Sequence, residues 1–156
     1  MYPQPFENPD PNLPPKGFAS KVFAYTTFSK NMNNNVERTV DLEVDPIDVL
    51  DEWNIATYRF TPKKAGYYFL SAQVGFGQAN GVGRFYVRLR IYPAGTIISD
   101  VRESVTLSEV VTLNTALIWR IIPPQYIQVR CMHSTGGVVA YLGSLEDTQF
   151  SAYRIG

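Results

Sequence analysis

A nucleophilic thiol needs a base within reach, and this chain offers one candidate pair: Cys131 and His133, its only cysteine and its only histidine. Two residues apart on a strand, they would share a face, yet no third group that could orient the imidazole is evident. They also cannot make a structural zinc site alone, since that normally takes four nitrogen or sulfur ligands. The plain reading of Cys131 is a small buried hydrophobe, and no enzyme is expected here. Carboxylates gather at Asp41, Glu43, Asp45, Asp48, Asp51 and Glu52. Their spacing lacks the 1-3-5-7-9-12 ligand order, with Gly at 6, of a helix–loop–helix calcium site, so a solvated edge or loop is the simpler account. Arg84, Tyr86, Arg88 and Arg90 fall at alternate positions, with Tyr92 following, and such a stripe can stack on sugars or hold anionic groups. These four are the candidate ligand face, against the simpler reading of a solvated outer sheet. The segment GQANGVG lacks the Lys-Ser/Thr ending of a phosphate-binding loop and reads as a hairpin connection.

The chain as a whole narrows the partners. Its 156 residues carry 14 basic and 14 acidic side chains, so there is no net positive field to neutralise a phosphate backbone, and nucleic acid is not expected. Hydrophobic residues at 45% and aromatics at 13% suit many short strands better than long amphipathic helices. A lone cysteine rules out an intrachain disulfide. No run approaches the ~18 apolar residues of a membrane span, so membrane insertion is not expected. The first residues have neither a basic n-region nor an apolar h-region, so they read as no secretory signal.

Residues 1–17 hold prolines at 3, 5, 9, 11, 14 and 15, which removes backbone donors and favours extended polyproline geometry. At ~3.1 Å per residue such an arm reaches about 50 Å, enough to cross a neighbouring subunit. Tyr2, Pro3, Pro5, Phe6 and Leu13 are its candidate docking residues. From residue 18 to 156 the signals are strands between turns. Arg84 to Tyr92 alternates cleanly, and Tyr67 to Phe76 puts Tyr68, Leu70, Ala72, Val74 and Phe76 on one face, with Tyr67, Phe69, Ser71 and Gln73 on the other. Further strands are expected at Ala19–Phe28, Val40–Val44, Ala56–Phe60, Val105–Thr112, Thr115–Ile121, Tyr126–Met132, Val138–Leu142 and Gln149–Ile155. NMNNN, TPKKAG, YPAG, IPPQ and STGG supply turns. Asp45 to Trp53 reads as a helical turn or a loop. Short strands at this spacing, with no helices between them, predict an all-β, two-sheet antiparallel jelly-roll sandwich.

The order of these features resembles the globular heads of the complement C1q and tumour-necrosis-factor superfamily. The resemblance is carried by Val22-Phe23-Ala24-Tyr25, Val40-Asp41-Leu42, the block from Phe60-Thr61-Pro62 through Gly66-Tyr67-Tyr68, Gly83 to Ile91, Ile127-Gln128-Val129, and Thr148-Gln149-Phe150-Ser151-Ala152-Tyr153. Leu70 stands where that family usually has Phe, Ala152 replaces a closing Gly, and there is no collagen-like stalk. The resemblance implies a homotrimer in which the sheet holding the first, closing and Tyr67-containing strands faces the threefold axis. Tyr67, Phe69, Phe23, Tyr25, Phe150 and Tyr153 are its candidate interface residues. It also leaves calcium open as a cofactor, since some relatives bind it at the trimer apex. The expected role is that of a non-enzymatic bacteriophage structural protein: a head-decoration, head-fibre or tail-tip trimer on the virion surface. Its arm would dock on other virion proteins, capsid or tail, while the jelly roll faces outward for attachment to a host glycan or protein. The alternative is a freestanding, secreted or extracellular recognition module that binds a glycan or protein.

Overall fold

The computed structural model describes residues 20–77, 81–105 and 110–155. The arm residues Tyr2, Pro3, Pro5, Phe6 and Leu13 lie outside these. Thirteen strands follow one another: β1 (Lys21–Tyr25), β2 (Lys30–Met32), β3 (Arg38–Thr39), β4 (Val44–Asp48), β5 (Trp53–Asn54), β6 (Arg59–Phe60), β7 (Gly66–Phe76), β8 (Gly83–Tyr92), β9 (Thr96–Val105), β10 (Val111–Ile121), β11 (Tyr126–His133), β12 (Val139–Tyr141) and β13 (Gln149–Arg154). All pairings are antiparallel. No described residue is helical, so no helix there is long and apolar enough to cross a membrane.

Two sheets stack. The first is ordered β2-β12-β7-β13-β1-β4, with β10 on the free side of β7, and the second β5-β6-β11-β8-β9, with β3 beside β11. Alternation decides what lies between them, because successive side chains on a strand point to opposite faces. Tyr68, Leu70, Val74 and Phe76 from β7 meet Phe85, Val87 and Leu89 from β8, all fully buried, and Phe76 stacks on Phe85 at 4.5 Å. Tyr68 is the one polar-tipped member of that row, and its hydroxyl donates to the Lys64 carbonyl at 2.7 Å, as a buried phenol must. At the seam where β9 meets β10, the hydroxyls of Ser99 and Thr115 are hydrogen-bonded.

Three expectations need correction. Asp45 to Trp53 holds no helical turn: Val44–Asp48 is a strand at the outer edge of the first sheet. Pro46 fits there because an edge strand has one side without ladder bonds. Its register against β1 shifts between Phe23 and Tyr25, opposite the proline. Beyond it, Asp48 accepts the backbone N–H groups of Glu52 and Trp53 at 2.8 Å each and so turns the chain into β5. Second, Val40 and Leu42 are buried but lie between β3 and β4, not within a strand. Third, Thr96–Val105 is a ten-residue strand where the sequence pattern placed none; of the strand expected from Val105 to Thr112, residues 106–109 lie outside the described residues, and Val111 and Thr112 open β10.

Candidate functional site

Two outward faces collect the residues singled out from the sequence. The first is the solvent side of the β10-β7-β13-β1 sheet. Its register gives successive rows across the strands. Ile118, Phe69, Tyr153 and Lys21 form one; Ala116, Ser71, Ser151 and Phe23 form the next; Asn114, Gln73, Gln149 and Tyr25 form the third. On β10, β7 and β13 the face therefore runs from bulky apolar groups, through Ala and Ser, to amides, while β1 adds Lys21, Phe23 and Tyr25 to the three rows in turn. Phe69 stacks on Tyr153 at 5.0 Å, and Phe23 leans on Tyr25 at 6.1 Å. Tyr67, next along β7, is 52% exposed, Ile118 57% and Tyr153 42%. Isolated exposed apolar residues need no explanation, but a contiguous row across three strands is a patch of the kind that marks an interaction surface. At the amide end, Gln73 donates to the Glu146 carbonyl and so ties the sheet to the loop before β13.

Phe150 does not belong to this face and is withdrawn from it. It pairs with Ala72 and Ala24 in an inward row, is 1% exposed, and packs on Trp53 at 5.4 Å and Phe60 at 6.0 Å. Parity explains the error: Phe150 and Tyr153 are three residues apart on one strand, so they cannot point the same way.

The second face is the solvent side of β8, β9 and β11. Here Arg84, Tyr86, Arg88 and Arg90 project as their alternation implied, but two of the four are already committed. The carboxylate of Glu37, from the segment joining β2 to β3, accepts from Arg88 Nη1 at 2.9 Å and from Arg90 Nη2 at 3.0 Å, and Arg130 Nε stands 3.4 Å away. Asp100 on β9 accepts from Arg102 Nη2 at 2.6 Å and from Arg88 Nε at 3.3 Å. The Arg88 and Arg102 guanidinium carbons lie 5.1 and 5.4 Å from the centre of the Tyr86 ring. The sequence did not point to Glu37, Asp100, Arg102 or Arg130; the only available signal was that Arg130 and Arg102 share the outward parity of their strands.

Burial pushes the Glu37 carboxyl upward, but hydrogen bonds from Arg88 and Arg90 and the charges of Arg90 and Arg130 outweigh it, so the group sits below its ordinary 4.5. Asp100 is likewise held below its ordinary 3.8: burial opposes ionisation, and Arg102 and Arg88 overcome it. A carboxyl depressed in the folded state stabilises the fold above its unfolded pKa, and that contribution disappears as pH falls through the folded value. Glu37→Gln is expected to lose about 1.5–3 kcal/mol at neutral pH, the scale of hydrogen bonds to a charged group. The gap to the parent should close as pH drops below 4.5. Urea melts of both proteins across that range check it, and a gap constant with pH would remove the ionised pin.

The remaining reactive groups are sealed or spent. Cys131 is buried with its sulfur 3.2 Å from that of Met32, and burial pushes the thiol up to about 12, so it carries no thiolate at neutral pH. His133 does share the inward face with Cys131, yet its Nδ1 pairs with the Thr135 hydroxyl and its Nε2 with the Met32 carbonyl, each at 3.0 Å. The clustered carboxylates are dispersed. Asp41 pairs with Lys30 and Arg38, Glu43 accepts from the Thr27 backbone at 2.6 Å, and Glu52 accepts from Ser20 and from the Lys63 backbone. Among the described residues, no three acidic, histidine or cysteine side chains converge as a calcium cage would require.

No family model and no curated protein matches the sequence. Solved structures match the fold. Eiger TNF from S. frugiperda superimposes with a TM-score of 0.71 at 11% identity, over 88% of this chain and 93% of that one. The globular domain of zebrafish complement 1qA gives 0.67 at 14% identity, over 88% and 98%. Murine APRIL gives 0.67 at 11%, over 88% and 99%. At such identities the likeness is one of architecture, and this chain has the two-sheet antiparallel jelly roll seen in TNF and C1q domains.

Proposed function

We propose that the chain works as a non-enzymatic homotrimer, closed through the outward face of the β10-β7-β13-β1 sheet. The observation that carries this is the contiguous row of Ile118, Phe69 and Tyr153, with Tyr67 beside it, left uncovered by the chain's own described residues. Hiding a large apolar side chain is worth about 1.5–3 kcal/mol, so three copies sharing such a row at an axis gain enough to offset the entropy of association. The shared architecture with TNF and C1q domains supports the same arrangement. A non-enzymatic role is supported by the burial of Cys131 and His133, which keeps both from any substrate.

In its finer form the proposal is a virion structural protein, anchored on capsid or tail proteins by residues 1–17 and displaying the jelly roll outward for attachment to a host. The proline-rich composition of the arm supports this part. Sedimentation of the purified chain at micromolar concentration tests the assembly: a three-chain species is expected, and a stable single chain overturns it. Deleting residues 1–17 tests the anchor, because an intact trimer that still occupies particles would exclude docking through the arm.

A further inference from the structure

We draw no further inference here: the strongest candidate, the half-open apolar seam between β9 and β10 where Ile98 and Leu117 pack against the core and Trp119 is 39% exposed, carries nothing because no observation in the structure shows what covers it.

Discussion

Phe69→Glu is expected to convert a three-chain species into single, folded chains. Phe69 faces outward between Ile118 and Tyr153, so the substitution leaves the sandwich core untouched; within one chain it loses only the stacking on Tyr153, worth about 1 kcal/mol. In a closed trimer the same change places three carboxylates near one axis. Each forfeits roughly 2 kcal/mol of apolar burial, and removing an unpaired charge from water costs several kcal/mol more. Since 1.4 kcal/mol is a tenfold change, association should weaken by at least about a thousandfold. Sedimentation velocity alongside far-ultraviolet dichroism reads both parts of this. A Phe69→Glu protein that sediments like its parent would show that the row is covered by something other than sister copies.

Phe150→Ala is expected to do the opposite: damage the chain and spare the assembly. Its ring is enclosed by Trp53 and Phe60 at the centre of the sandwich, and no neighbouring strand can move in to fill the space without breaking the ladder to β7. Phe-to-Ala changes at such sites cost about 3–5 kcal/mol, a large part of the 5–15 kcal/mol that holds a domain together. For a chain of this length that lowers the melting temperature by roughly 10 °C. Fluorescence of the adjacent Trp53 gives a local readout. A loss below about 1 kcal/mol, or dissociation of the trimer before any loss of melting temperature, would return Phe150 to the surface.

The two substitutions mark what a linear reading of the chain can reach. Where a strand has one buried and one open face, as in β7 and β8, alternation alone tells which side chains meet, and Tyr68 and Phe69 are sorted by it without ambiguity. Phe150 was misplaced because it was grouped by its position in a resemblance and not by parity with Tyr153. β9 was missed for a different reason. It is an edge strand carrying Asp100, Arg102 and Glu103, its alternation is interrupted where the register against β8 shifts between Leu89 and Arg90, and edge strands are charged as a defence against unwanted pairing. The ion-pair cluster was beyond reach altogether. Glu37 is separated by 51 residues from Arg88 and by 53 from Arg90, and no local pattern brings a carboxylate from one segment onto arginines of another.

In the proposed trimer, the rows on the outward face of the β10-β7-β13-β1 sheet would also favour one vertical register. Strand geometry spaces like-facing residues about 6.7 Å apart, so sliding one copy along the axis by a single step would lay the rings of Phe69 and Tyr153 against the serines of a neighbour, and by two steps against its amides. On β7 and β13 each such step would set a ring against a hydroxyl or an amide, while Phe23 and Tyr25 on β1 keep some aromatic surface in both lower rows. In that trimer the sheet would act as a vernier, and copies that met out of step would bury less matched surface.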